Sequence, residues 1–148
     1  MGRLMSIDYG RKRCGIAVTD TLQLVANGLT TVSTASLTAF VKDYISRELV
    51  DKIIVGYPTT LRGDESESMR WIRPGIERLK REIPTVEVEF FDERFTSTLA
   101  HRAMIAGGVK KMDRRNKALV DEISATIILN DYLSKQSLQS NVRQMDNR

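Results

Sequence analysis

Four acids, Asp8, Asp92, Glu93 and Asp121, stand where the chain's patterning can aim them at one place. Asp8 closes the apolar run Leu4-Met5-Ser6-Ile7, where a core residue would be expected. A carboxylate at the end of a buried strand carries a heavy desolvation cost unless it is paired or binds a cation. The alternative is a turn aspartate that caps its own hairpin before Gly10, and on these residues alone that reading has at least equal weight. With one cysteine, Cys14, and one histidine, His101, the chain cannot assemble a Cys/His zinc site or a disulfide. Carboxylates converging without softer ligands suit hard divalent cations such as Mg²⁺ or Mn²⁺. Two such ions roughly 4 Å apart can clamp the attacking and leaving oxygens of an in-line phosphoryl displacement, the chemistry of phosphodiester hydrolysis.

The elements that must position these acids follow from apolar spacing. Leu4 to Ile7 and Cys14 to Thr19 flank the turn Gly10-Arg11-Lys12-Arg13, rich in glycine and base, which predicts a β-hairpin. The β-branched run Leu29-Thr30-Thr31-Val32 adds a third antiparallel strand. From Ser36, an N-cap, Leu37, Phe40, Val41, Tyr44 and Ile45 recur at helical spacing. Lys52-Ile53-Ile54-Val55-Gly56 is a continuous apolar run of the kind buried on both faces of a parallel sheet. Between Asp64 and Arg81, Met69, Ile72, Ile76 and Leu79 again keep helical spacing, and Pro74 should kink or split that helix. Thr85 to Phe91 alternates apolar with acidic residues, as an edge-near strand with one solvated face does.

A further helix, about Ser97 to Ala106, is stopped by Gly107-Gly108 and followed by a basic connection. The last helix runs through Asp121 to Leu133, with Asp121, Ala125, Ile128 and Tyr132 on one stripe. Ser124 and Ala125 are small enough to let it approach a sheet closely and bring the Asp121 carboxylate to a strand end. This order predicts an α/β fold with a five-stranded mixed sheet flanked by helices. Its three N-terminal strands are antiparallel, and strands one, four and five are parallel through right-handed crossovers. Strand one is then central, and Asp8, Tyr57-Pro58 and Glu93 fall at carboxyl ends of parallel strands, where open α/β sheets place their sites. Residues 1–135 are expected to form a single domain and 136–148 a polar, disordered tail.

At 148 residues the chain fits one domain with a real core. Lys plus Arg total 23 against 19 Asp plus Glu, a formal charge of +4 that favours a polyanionic partner. No apolar run approaches the length of a membrane span and the N-terminus lacks a signal-peptide core, so a soluble, cytoplasmic protein is expected. The lone thiol suits that compartment. Met1-Gly2-Arg3-Leu4-Met5-Ser6 matches the loose myristoylation pattern, but a strand beginning at Leu4 leaves a lipid no free arm.

The pattern becomes specific when its pieces are taken in order. Asp8-Tyr9-Gly10, Arg13, Gly15-Ile16-Ala17 and Asp20, then Val55-Gly56-x-Pro58, then Asp92-Glu93-Arg94-Phe95-Thr96, then Asp121-x-x-x-Ala125 with Ile128-Leu129 and Tyr132-Leu133, resemble the YqgF family, also called RuvX. Its members are pre-16S rRNA nucleases or Holliday junction resolvases with a ribonuclease H-like fold. The resemblance runs from Met5 to Leu133 and implies a three-carboxylate metal site of Asp8, Glu93 and Asp121. It prefers Glu93 to Asp92, a choice that strand parity leaves open because one residue of slip exchanges the faces. It further implies an endonuclease using Mg²⁺ or Mn²⁺, as two ions, to process the 5′ end of pre-16S rRNA in ribosome biogenesis. Resolution of branched DNA in recombination and repair is the alternative. Tyr57-Pro58-Thr59-Thr60-Leu61-Arg62-Gly63 departs from the family's commoner Leu-Pro-Leu-x-x-x-Gly run, which leaves the substrate contacts made there open.

Plainer readings of the same residues compete. An Asp-Glu-Arg run such as Asp92-Glu93-Arg94 is more often a structural ion pair than a ligand set, and only the other two acids tilt it toward metal. Arg11, Lys12, Arg13, Arg94 and the tract Lys110, Lys111, Arg114, Arg115, Lys117 are candidate phosphate contacts, although charge runs are usually solvated connections. Tyr9 and Tyr57 can stack on a base or simply pack, and His101 reads as a surface residue. Asp8-x-Gly10 on a first hairpin also resembles the phosphate loop of actin-type and sugar-kinase-type ATPases, which need a second lobe that this length does not supply. A non-catalytic nucleic-acid-binding scaffold is the reading if only two of the acids are in place. The expected partner is structured RNA or branched DNA. A symmetric resolvase needs a two-fold dimer, whereas trimming one RNA end does not, so a monomer or weak homodimer is expected.

Overall fold

The computed structural model describes residues 2–57, 67–92 and 114–146, the side chains of 114–119 and 138–146 excepted. Strands β1 (Arg3–Tyr9) and β2 (Arg13–Thr19) form the expected hairpin, with Ile7 opposite Ile16, Asp8 opposite Gly15 and Tyr9 opposite Cys14. Gly10 opens its turn because a Cβ there would run into the Arg13 carbonyl. Strand β3 (Ala26–Ser33) pairs antiparallel with β2, and β4 (Val50–Tyr57) and β5 (Glu87–Asp92) run parallel to β1. The sheet order is β3-β2-β1-β4-β5, so β1 is central as the sequence predicts.

Because successive strand residues face opposite ways, the sheet builds two unlike cores. On one face Met5, Ile7, Ile16, Ile53 and Val55 pack beneath helices α1 (Leu37–Arg47) and α2 (Met69–Glu82). Leu37 and Val41 come from α1, and Ile72, Ile76 and Leu79 from α2. On the other face Leu4, Ala17, Ile54 and Phe91 meet Ala125, Ile128, Leu129 and Tyr132 of α3 (Arg114–Asp146).

Some local expectations change in the structure. Ser36 precedes α1 but makes no side-chain cap. Its hydroxyl accepts from Ser33 Oγ at 2.7 Å, and a 3₁₀ turn, Thr34–Ser36, leads the chain into the helix instead. Pro74 does not split α2, which runs from Met69 to Glu82 around it. The buried Ile72 on one side of the proline and Ile76 and Leu79 on the other tie both halves to the same core, which offsets the lost backbone bond. Helix α3 continues to Asp146, through the segment expected to be a frayed tail, and starts at Arg114, inside the expected basic connection. No glycine or proline interrupts it. The helix expected near Ser97 to Ala106 lies outside the described residues.

The seating of α3 is unusually close. A Cβ at Gly15 would fall on the carbonyl of Asp121, so the helix backbone rests directly on β2. The fully buried Ser6 hydroxyl donates to the Ala125 carbonyl at 2.6 Å, tying β1 to the same turn of helix. Farther along, Lys52 Nζ donates to Glu89 at 2.9 Å and to the Tyr132 hydroxyl at 3.2 Å, and Gln136 donates to that hydroxyl at 2.8 Å. The Glu89 carboxylate, foremost among these partners, raises the Lys52 pKa further above the ordinary lysine range. Phe91 meets the Tyr132 ring edge-on, with centroids 5.9 Å apart.

Asp20 organises the β2–β3 connection. Its carboxylate accepts from the backbone N–H of Leu22, Leu24 and Val25 at 3.1, 2.9 and 2.8 Å. The bond from Val25, followed by the others, lowers its pKa against a smaller opposing desolvation.

Two consequences can be measured. Gly15→Ala should lose about 1–3 kcal/mol in urea unfolding because backbone must move to admit the methyl group. Gly28→Ala should lose far less, since its Cβ would meet the flexible end of the Glu122 side chain, at 2.5 Å from Oε1. Equal losses would show that the α3 backbone does not seat on Gly15. For Asp20, a depressed folded-state pKa means stabilisation that is complete above the ordinary value of 3.8 and disappears as pH falls through the folded value. The stability advantage of wild type over Asp20→Ala should therefore be flat at neutral pH and shrink in acid.

Candidate functional site

Asp8 sits next to the carboxyl end of β1, and its neighbours in register are Gly15 on β2 and Gly56 on β4. Glycine on both flanks leaves the sheet around this carboxylate without side-chain walls. Asp8 shares its face with Leu4 and Ser6, the face that α3 covers. On α3, the stripe of Ala125, Ile128 and Tyr132 is buried as expected, and Asp121 lies one turn before Ala125. The close seating at Gly15 thus carries Asp121 over the end of β1. Asp8 and Asp121 line one open cleft of about 290 Å³, together with Arg11, Ser68, Trp71 and Ser124.

Arg13, on the same strand face as Gly15, donates from Nε to Asp121 Oδ2. Both side chains are partly exposed, so the pair adds at most about 1 kcal/mol of stability, and its effect is to orient the carboxylate. The donors gathered here are carboxylate oxygens and the hydroxyls of Ser68 and Ser124, which match a hard divalent cation. Cys14 is excluded as a ligand. It is buried on the opposite sheet face with Sγ 3.5 Å from Thr34 Oγ1, and burial pushes its thiol pKa up. Among the described residues no three Cys, His, Asp or Glu side chains cluster, so the two aspartates do not form a complete ligand set by themselves.

Asp92 pairs with Tyr57 in register and alternates with Phe91, which faces α3, so it stands on the sheet side opposite to Asp8. Glu93, Arg94, His101, Lys110, Lys111 and the loop from Pro58 to Gly63 lie outside the described residues. Arg114, Arg115 and Lys117 belong to the opening turns of α3, with Lys117 one turn ahead of Asp121. Arg11 and Lys12 are exposed on the hairpin turn, and Arg11 lines the cleft. Tyr9 both packs against the core and lines the cleft, and Tyr57 packs against the same core. The Tyr9 hydroxyl occupies the space that a Cβ at Gly75 would need, and burial raises its pKa. The Tyr57 ring meets Phe90 edge-on, with centroids 5.8 Å apart.

Sequence reasoning missed Trp71 and Ser68 as parts of this cleft. The available signal was that Trp71 falls off the apolar stripe of Met69, Ile72, Ile76 and Leu79, on the charged side of its helix. The pairing of Arg13 with Asp121 joins residues 108 positions apart and has no local signature.

The family model for RuvX, described as Holliday junction resolvase, matches residues 2–135. A protein of Phocaeicola vulgatus named "Putative pre-16S rRNA nuclease" is 58% identical over 136 residues, covering 92% of this chain and 98% of that one. One of the same name from Bacteroides fragilis is 55% identical, covering 93% and 100%. Among solved structures, Thermus thermophilus RuvC in complex with a Holliday junction substrate matches with a TM-score of 0.54 at 16% identity, covering 93% of this chain and 96% of that one. That likeness bears on the fold alone, and with the strand order it establishes the ribonuclease H-like arrangement expected from the sequence. With relatives more than half identical across nearly their whole length, and a family model that spans almost all of it, this chain belongs to the RuvX family.

Proposed function

We propose that this protein is a divalent-metal-dependent endonuclease that processes the 5′ end of pre-16S rRNA in the cytoplasm during ribosome biogenesis. The observation that carries this reading is the convergence of Asp8, from the first strand, and Asp121, from the last helix, on one open cleft. The names of the relatives support the substrate. No helix among the described residues is long and apolar enough to cross a membrane.

In this reading Glu93 completes the ligand set. Asp92 stands on the sheet face opposite to Asp8, which counts against it as the third ligand. Mg²⁺ or Mn²⁺, two ions held by Asp8, Glu93 and Asp121, would stabilise charge on the attacking and leaving oxygens of the displacement. Arg13 keeps Asp121 oriented while the site is being loaded. Arg11 and Lys12 at the rim, with Arg94, Lys110, Lys111, Arg114, Arg115 and Lys117, are assigned to the phosphate backbone, in keeping with the formal charge of +4. The family description supports a second reading, resolution of Holliday junctions. Contacts from Lys and Arg read charge and do not separate the two substrates. One RNA end needs one active site, so the protein acts as a monomer or weak dimer.

Asp8→Asn, Glu93→Gln and Asp121→Asn should each abolish Mn²⁺-dependent cleavage with the fold retained. Asp8→Asn should hold or raise the metal-free melting temperature by relieving like-charge crowding, whereas Asp121→Asn should lose up to about 1 kcal/mol through its ion pair with Arg13. In calorimetric titration Glu93→Gln should weaken Mn²⁺ binding far more than Asp92→Asn. Full cleavage by Asp8→Asn would refute the mechanism, and the reverse calorimetric ranking would give the third position to Asp92.

Substrate choice is tested by offering the purified protein with Mn²⁺ both a precursor rRNA fragment and a four-way DNA junction, with its mass in solution measured alongside. Cleavage of the RNA by a monomer or weak dimer is expected. Paired symmetric nicks in the junction by a stable dimer, with the RNA untouched, would replace rRNA processing by resolution.

A further inference from the structure

The cleft that holds Asp8 and Asp121 continues beyond the acids. Arg11 and Trp71 line it too, and the same two side chains bound an adjoining hollow with Glu67 and Arg70. Trp71 is the single tryptophan of the chain. It is half-buried against the edge of the helical core, and the Arg11 guanidinium carbon lies 5.5 Å from its ring centroid. The core does not require an aromatic ring at this position, because Met69, Ile72, Ile76 and Leu79 already form the buried stripe of α2. An indole held off that stripe, partly in water, beneath a planar cation and beside two convergent carboxylates offers a flat, polarisable surface to a ligand.

We propose that Arg11 and Trp71 form a stacking platform for one unpaired nucleobase beside the scissile phosphate, so that the protein selects nucleic acid that is single-stranded at the cut. This rests on the nuclease reading in taking the ligand to be a nucleic acid and the two acids to mark its cut, while base stacking itself does not depend on cleavage. Every base has a π-face, so aromatic and guanidinium planes accept any sequence. In a duplex both faces of a base are covered by its neighbours, and reaching the platform requires unstacking and unpairing first. The platform therefore discriminates by strandedness rather than by sequence. It acts as a specificity determinant, while the acids of the same cleft retain the chemistry.

The uniqueness of Trp71 makes its emission a direct report. The metal-free full-length protein, kept from cleaving by chelator, is titrated with an eight-nucleotide single strand as RNA, the same strand as DNA, and a blunt duplex of that sequence. Single strands should quench the Trp71 emission and bind about ten-fold tighter than the duplex. A preference between the RNA and DNA arms identifies the source of the base, and quenching by either supports the platform. Anisotropy of a labelled strand then follows the variants. Trp71→Ala should lose about ten-fold in single-strand affinity with duplex affinity kept, and Trp71→Phe should retain most of it. Arg11→Gln should weaken single-strand binding more than duplex binding. Melting curves accompany each variant, and where Trp71→Ala costs the fold, Trp71→Phe and Arg11→Gln decide. Unchanged emission at saturating single strand, or equal losses on both substrates, would overturn the platform. Quenching without metal-dependent cleavage would leave it standing and remove the nuclease reading, and cleavage without quenching would do the reverse.

Discussion

The backbone of α3 lies directly on the backbone of β2, and much else in the molecule depends on that contact. It exists because Gly15 has no Cβ to hold the carbonyl of Asp121 away. Close approach brings the Ser6 hydroxyl within reach of the Ala125 carbonyl and lowers Asp121 to the level of Asp8. A side chain in place of Gly15 would hold the helix farther from the sheet and draw the short acids on each apart. Stability and site geometry are therefore coupled through one glycine. The opposite end of the described contact is held by different chemistry, with Phe91, Tyr132, Lys52 and Glu89 tying the helix to the edge of the sheet.

The two sheet faces divide the work of the fold. Beneath α1 and α2 the buried side chains are mostly large and aliphatic, and burial of that kind contributes roughly 25 cal/mol for each Å² of apolar surface removed from water. Beneath α3 the sheet contributes Gly15, Ser6 and Ala17 along with Leu4, Ile54 and Phe91, a thinner core that tolerates a charged group at its margin. Asp8 sits at that margin, where the β1 strand ends and the cleft opens. Its partner in the cleft, Asp121, is paired with Arg13, which offsets part of the negative charge gathered there.

The role of an aspartate in this chain is set by what surrounds it. Asp20 and Asp8 both follow a short apolar run and precede a turn, and locally they look alike. Asp20 draws three backbone N–H groups onto its carboxylate and shapes the β2–β3 connection. Asp8 is flanked by glycines on both neighbouring strands and lines an open cleft with a second acid.

The order and pairing of the strands, the central place of β1, the buried stripes of α1 and α2 and the inward aim of Asp121 were all legible in the sequence. Each is written in a period of 2 or 3.6 residues that local geometry enforces. Ser36, Pro74 and the segment beyond Gln136 were legible only as tendencies, and tertiary contacts or uninterrupted helix propensity overrode them. Strand parity at the end of β5 could not be read from spacing, because a slip of one residue exchanges the faces, and only the pairing of Tyr57 with Asp92 put that acid across the sheet from Asp8. The sequence by itself determined which residues form strands and helices and which of their faces are apolar. Tertiary structure decided that Arg13 meets Asp121 and that Trp71 and Arg11 border the acids, since those contacts join surfaces whose separation in the chain carries no periodic signal.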